Sequence, residues 1–247
     1  MRSLLIAPGE DEARLARALS SGADAVVVDL DSAVKPEAKA AARAGAARFL
    51  KEARAQGVTP ALIVRVGPLF RGDTDLDLDA VMPGAPDAIM LPRSLGGASV
   101  QQLSVKLAVQ EALCGLADGS TRILAVATET AHALFGMASY RGASARLIGL
   151  AWGVEGLSAD LRAESHRDAS GAYAGPYRLA RDLTLLTAAA ADVAAIDAAF
   201  ADAGDAEGLR AEAQAARRDG FAAKLATDPA QVRVINQVFA KRSPDRT

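Results

Sequence analysis

Cysteine occurs once in the 247 residues, at Cys114, and histidine twice, at His132 and His166. One thiol cannot close an internal disulfide, and this donor set builds neither a Cys/His zinc cluster nor a three-histidine site. Aromatic residues make up only 4% of the chain, so the core must be filled by aliphatics and by alanine, which favours numerous, closely packed helices. Neither sign of charge dominates. The formal net charge is −2, and no block of like charges is long enough to hold a phosphate backbone, which argues against nucleic acid as a partner.

Long hydrophobic runs are missing as well. The first seven residues meet Pro8-Gly9-Glu10-Asp11 too soon for a signal peptide, and the alanine-rich tract 185–200 is broken by Asp192 and Asp197, short of a membrane span. The expectation is a soluble cytoplasmic protein with no membrane partner. Neither Gly-x-Gly-x-x-Gly after the first apolar run nor Gly-x-x-x-x-Gly-Lys-Ser/Thr occurs, so the phosphate cradles of dinucleotide and P-loop proteins are absent.

What the chain does have is a regular alternation. Short apolar runs fall at 4–6, 25–28, 61–64, 88–91, 123–126, 147–150 and 193–196, with a weak one at 221–225. Between them the apolar spacing predicts helices over 11–21, 36–55, 74–81, 98–116, 131–140, 176–190, 205–218 and 229–240. Pro36, Pro176 and Pro229 stand at first-turn positions, and Gly22, Gly57 and Gly220 follow three helix ends. Eight strands buried on both faces and alternating with helices predict a single-domain α/β (β/α)8 TIM barrel over 1–241, with a C-terminal helical segment and a frayed tail at 242–247. An open doubly wound sheet is the alternative.

Barrel enzymes carry their reactive groups at the carboxyl ends of the strands. Just past the runs stand Glu10, Asp29 and Asp31, Arg65, Arg93, Glu129, Glu155, Asp197 and Asp228. Loops are polar in any case, so each of these has an ordinary explanation. Arg65 differs, because it lies inside the run Leu62-Ile63-Val64-Arg65-Val66 and needs a buried partner. Together with Asp29, Asp31, Glu129 and Glu155 it makes a mixture suited to Mg²⁺, which takes one or two carboxylates plus waters and substrate oxygens. The arginine would then neutralise a substrate carboxylate or a developing enolate oxygen. The plainer alternative is a salt-bridge ring closing the barrel mouth. His132 and His166 are read as surface or supporting residues, Trp152 and Tyr173 as packing residues, and Lys35 and Lys224 as conceivable Schiff-base lysines in unpromising positions.

Seven stretches occur in an order and spacing that is familiar: RSLLIAPG at 2–9, SGADAVVVDLDSAV at 21–34, IVRVGP at 63–68, IMLPR at 89–93, TET at 128–130, WGVEGLSADL at 152–161 and DAEGLRAEAQAARRDGF at 205–221. The chain resembles the citrate lyase beta subunit-like family, within the HpcH/HpaI aldolase superfamily that includes malyl-CoA lyases. The resemblance implies a TIM barrel in homotrimers or larger assemblies, with a Mg²⁺ site at the carboxyl end. It also implies a carbon–carbon lyase acting on a small oxo or hydroxy acid or its CoA thioester. By analogy Arg65 is the electrostatic catalyst, Glu129 the first metal ligand, and Asp29 and Asp31 further substrate-binding residues. A citrate lyase subunit proper, working with acyl-carrier and transferase partners, is a third reading.

The departures from the family pattern cluster on the catalytic face. Where the family reads Gly-x-x-Asp-Leu, with the Asp as second metal ligand, this chain has Gly153-Val154-Glu155-Gly156-Leu157. Glu155 replaces that ligand only if its loop shifts. Asp-Leu-Glu-Asp becomes Asp29-Leu30-Asp31-Ser32, Arg-Val-Asn-Pro becomes Arg65-Val66-Gly67-Pro68, the Arg of Glu-Thr-x-Arg-Gly becomes His132, and Ile-His-Pro becomes Thr227-Asp228-Pro229. These changes support an alternative: a catalytically diverged barrel that binds a small carboxylate or acyl-CoA through Arg65 without a competent metal site.

Overall fold

Each apolar run forms a strand in the computed structural model, which describes residues 1–240; the expected tail, 242–247, and residue 241 lie outside the described residues. The strands are β1 (Ser3–Pro8), β2 (Ala25–Asp29), β3 (Ala61–Arg65), β4 (Ala88–Leu91), β5 (Arg122–Val126), β6 (Leu147–Ala151), β7 (Ala194–Asp197) and β8 (Ala223–Ala226). They pair in sequence order, all parallel, and β8 returns to β1 to close the barrel. The open-sheet alternative is thereby excluded.

The helices are α1 (Glu12–Ser20), α2 (Lys39–Gln56), α3 (Asp73–Val81), α4 (Gly97–Cys114), α5 (Ala131–Leu134), α6 (Val154–Leu161), α7 (Gly175–Ala190), α8 (Ala206–Asp219) and α9 (Pro229–Val238). Two differ from expectation. The helix expected over 131–140 stops at Leu134 and resumes as a 3₁₀ turn over Met137–Tyr140; between them lies Gly136, where a Cβ would meet the Leu95 carbonyl and whose helix propensity is low. Helix α6 was expected to be a loop. Gly153, just before it, and Gly156 within it mimic a turn, yet Val154 and Leu157 are buried on the barrel, and this tertiary contact overrides the weak local propensity.

Alternation along each strand divides the core in two. Leu4, Ala25, Val27, Ile63, Met90, Leu124, Val126, Ile196 and Leu225 point into the barrel. Their neighbours, including Leu5, Val26, Val28, Leu62, Val64, Ile89 and Leu150, face the helices. The inward column of β2 runs Ala25, Val27, Asp29, and that of β3 runs Ala61, Ile63, Arg65. Asp29 and Arg65 are register partners at the carboxyl rim, so the barrel's own periodicity sets a carboxylate and a guanidinium side by side at its mouth.

The opposite end is built for stability. Glu111 of α4 and Arg146, just before β6, form a bidentate pair at 2.7 and 2.8 Å. Thr121 and Gly119 donate backbone N–H groups to the same carboxylate at 2.7 and 2.9 Å. Burial pushes the Glu111 carboxyl up, but Arg146 and these N–H groups outweigh it and hold its pKa down at about 2. Among the described residues no helix is long and apolar enough to cross a membrane.

Candidate active site

The barrel mouth opens into a cavity of about 700 Å³ lined by residues from the ends of β2 to β8, among them Asp29, Asp31, Arg65, Glu129 and Glu155. Arg65 lines it. Its Nη2 donates to Glu129 Oε1 at 2.8 Å and its Nη1 to Ser32 Oγ at 3.0 Å, while Asp31 Oδ2 lies 3.9 Å from Nη2. The buried partner that the strand position demanded is therefore Glu129, reached across 64 residues of sequence. Burial disfavours the charged guanidinium, but Glu129, Asp29 and Asp31 outweigh it and hold the pKa of Arg65 above the ordinary arginine value. Arg65 Nε has no acceptor although it is buried. A buried N–H without a partner costs about 1–3 kcal/mol, so the position of Arg65 is kept at some expense of stability.

Glu129 is fixed from three sides. Besides Arg65, the backbone N–H of Arg93 donates to its Oε2 at 2.6 Å. Arg93 reaches this position through a left-handed backbone, φ 48°, a conformation that costs a non-glycine residue energy and is found at functional sites. The third side is a slot floored by Gly153 and Gly156. A Cβ at position 156 would lie 2.7 Å from Glu129 Cβ and 2.9 Å from its Cγ. The Glu129 side chain thus fills the space directly over the glycine that stands where the family pattern has an aspartate.

Asp29 and Asp31 play different parts. The Asp29 carboxylate, fully buried, accepts from Asp31 N–H at 2.8 Å, Ser32 Oγ at 2.9 Å and Ala33 N–H at 3.0 Å, so it shapes the loop after β2. Asp31 is surrounded by cations at longer range: Arg71 Nη1 at 3.4 Å, Lys39 Nζ at 3.7 Å and Arg65 Nη2 at 3.9 Å. The ion pairs that a salt-bridge closure of the mouth requires are present, but they surround an open cavity and leave Arg65 Nε unsatisfied. Glu155 lies in the first turn of α6 and is exposed at the cavity rim. Among the described residues no group of three His, Cys, Asp or Glu side chains is gathered to hold a metal.

Of the other candidates, His132, His166, Lys35 and Lys224 fall outside the cavity lining, and Trp152 borders it. His132 is exposed, and His166 packs against Tyr173 and Tyr177, with ring centroids 6.2 and 6.0 Å apart. Trp152 is a packing residue, edge-on to Tyr173 with its Nε1 on Asp197 at 2.8 Å. Lys224 points outward from β8, fully buried, with Asp197 at 2.6 Å and Glu212 at 2.8 Å; a lysine so paired is not a free amine for Schiff-base formation. Lys35 precedes the turn at Pro36 and is exposed.

Three contributors escaped the sequence reading: Lys39, Arg71 and Asp77. Lys39 Nζ donates to the carbonyls of Leu30 and Asp31 and so braces the loop after β2. Asp77, buried in α3, accepts from Gly67 N–H at 2.7 Å and Arg43 Nε at 2.6 Å, and Thr74 Oγ1 donates to the Gly67 carbonyl at 2.9 Å. These bonds pin the loop that follows Arg65. A signal for Asp77 was available: in DTDLDLDAV it shares a helical face with Thr74, Leu78 and Val81, where a charge needs a partner.

The sequence profile of the HpcH/HpaI aldolase/citrate lyase family matches residues 2–229. The chain belongs to that family. It is 30% identical over 244 residues to the citrate lyase subunit beta of Haemophilus influenzae, covering 99% of this chain and 81% of that protein. It is 31% identical over 241 residues to the (3S)-malyl-CoA thioesterase of Cereibacter sphaeroides, covering 97% of this chain and 77% of that protein. Among solved structures it is similar to the citrate lyase beta subunit of Mycobacterium tuberculosis complexed with oxaloacetate and magnesium. That similarity has a TM-score of 0.77 and 30% identity, over 97% of this chain and 96% of that one. The protein CitE of Mycobacterium tuberculosis in complex with magnesium and acetoacetate gives a TM-score of 0.80 and 29% identity, over 99% of this chain and 92% of that one.

Proposed function

We propose that this barrel binds a small oxo or hydroxy acid, or its CoA thioester, at the carboxyl end of the strands and makes or breaks the carbon–carbon bond next to its carbonyl. One observation carries the reading: Arg65, 12% exposed in its side chain, stands in the lining of the 700 Å³ cavity, where Glu129 and Ser32 each take one donor of its fork. An oxygen that gains negative charge as the carbon–carbon bond opens would be received by the Nη donors that Glu129 and Ser32 leave free. A preoriented guanidinium stabilises such an oxygen without reorganising at the moment of reaction. Glu129 keeps the arginine in place, and Asp29 and Asp31 shape and charge the wall against which the acid lies.

Mg²⁺ fits this site as an ion completed by the ligand. Glu129 offers one interior carboxylate and Glu155 one at the rim, within the one or two that Mg²⁺ takes alongside substrate oxygens and water. A site closed by protein groups alone does not fit, since no three such side chains gather among the described residues. When bound, Mg²⁺ would chelate the oxo acid and polarise its carbonyl. Relatives complexed with magnesium and oxaloacetate or acetoacetate support this reading. Calorimetric titration of MgCl₂ with oxaloacetate or glyoxylate tests it: binding is expected at millimolar metal, weakened in Glu129→Ala. Heat no greater than that of Glu129→Ala overturns it.

A second reading has an observation of its own. Both Glu129 oxygens are already engaged, and its side chain occupies the space above Gly156, as expected of a barrel that clamps an anion through Arg65 without metal. It requires dicarboxylates or CoA esters to raise the melting temperature in EDTA, an effect lost in Arg65→Ala. We further propose a homo-oligomer. Val105, Val109 and Leu113 form an exposed apolar stripe on α4, and Phe135, just after α5, is 90% exposed.

A further inference from the structure

We propose that Arg71 reads a second anionic group of the bound acid, so that the substrate is an oxo or hydroxy dicarboxylate rather than a monocarboxylate. The inference rests on the oxo-acid reading above and assigns its specificity to a residue that neither the family motifs nor the strand ends pointed to. Arg71 ends the one-turn 3₁₀ helix Leu69–Arg71, six residues beyond Arg65, and its side chain lines the same cavity.

Three observations single it out. First, its guanidinium is under-used. Among the described residues its one side-chain hydrogen bond is the long contact from Nη1 to Asp31 Oδ1 at 3.4 Å, which leaves most of a five-donor fork unpaired. Lys39, by contrast, is committed to two carbonyls of the loop after β2.

Second, Asp31 fixes where Arg71 stands. The same carboxylate is 3.9 Å from Arg65 Nη2, so the two guanidinium groups flank one carboxylate and face the same space. Two forks separated by about the width of a carboxylate suit a ligand with two anionic ends, one received by each.

Third, the charges balance only for such a ligand. The cavity carries four cationic side chains, Lys39, Arg65, Arg71 and Arg93, and four carboxylates, Asp29, Asp31, Glu129 and Glu155. A divalent cation adds two positive charges to this neutral lining, and a dicarboxylate returns the total to zero. A monocarboxylate leaves one charge uncompensated in a partly desolvated site.

The test is calorimetric titration of the full chain in Mg²⁺ with oxaloacetate and, separately, with pyruvate, which lacks the second carboxylate. Wild type, Arg71→Met and Arg93→Met are compared, with acetyl-CoA as a further titrant. The expected result is that Arg71→Met weakens oxaloacetate binding about tenfold, the size of one lost charge-assisted contact, and changes pyruvate binding less than about twofold. Arg71→Lys should recover part of the loss. Equal weakening for both acids, no weakening, or selective loss only in Arg93→Met overturns the assignment and leaves the oxo-acid reading standing. Loss confined to acetyl-CoA assigns Arg71 to a phosphate of the thioester and overturns it too. Failure of both acids to bind wild type removes the oxo-acid reading itself, and the inference with it. Arg71 is 43% exposed in its side chain, so its replacement is not expected to disturb folding.

Discussion

On the proposed reading, Arg65 concentrates the chemistry of this barrel in one side chain. Replacing it by lysine keeps the charge but loses the planar fork that joins Glu129 and Ser32 at once. We expect Arg65→Lys to lower kcat for carbon–carbon cleavage by about two orders of magnitude, the usual cost of removing one preorganised donor. Steady-state kinetics with the acid identified by titration will measure it. Gly156 makes a complementary point by what it lacks. Gly156→Ala places a methyl 2.7 Å from Glu129 Cβ, and we expect a loss of about 1–3 kcal/mol in urea-determined stability from overpacking. Ligand binding should weaken as well, because Glu129 can yield only by leaving Arg65 or the Arg93 N–H.

Helix α9 depends on its first turn. Asp228 and Gln231 form a capping box around Pro229, with the Asp228 carboxylate on Ala230 N–H at 2.8 Å and Gln231 Oε1 on Thr227 N–H at 2.9 Å. Asp228→Ala is expected to cost about 1 kcal/mol in denaturant titration. At this scale the strands were legible and the site was only half so. Runs such as Ala25-Val26-Val27-Val28, short and rich in β-branched residues, read as strands buried on both faces. The last inward residue of each run, Asp29 or Arg65, then falls at the mouth by simple alternation. Helix α6 was not legible, since eight residues with two buried apolar side chains carry too little periodicity to outweigh Gly153 and Gly156. Nor were the pairings: nothing local in the sequence joins Arg65 to Glu129, Arg71 to Asp31 or Asp77 to Gly67, which meet only because the barrel closes.

The whole molecule separates its functions by end. At the amino end of the strands, the Glu111 carboxyl is held at about 2 against an ordinary 4.5. A depressed carboxyl pKa contributes stability above the ordinary value, and that contribution fades as pH falls from 4.5 towards 2. Urea midpoints of wild type should therefore drop through this window. Glu111→Gln, less stable at neutral pH by about 3 kcal/mol, should lose much of that dependence. At the assembly level, Val109→Glu, in the middle of the exposed α4 stripe, is expected to shift the mass measured by light scattering to that of one chain while leaving the fold intact.

The strained peptide at Arg93 has a consequence for how this site can be interrogated. One of the two hydrogen bonds that hold Glu129 comes from a main-chain N–H, present whatever side chain occupies position 93. Alanine scanning is blind to it, and sequence drift at that position can erase the arginine without releasing the glutamate. An amide-to-ester exchange at residue 93, made by semisynthesis, would delete this one donor and expose how much of the site's order belongs to the backbone alone.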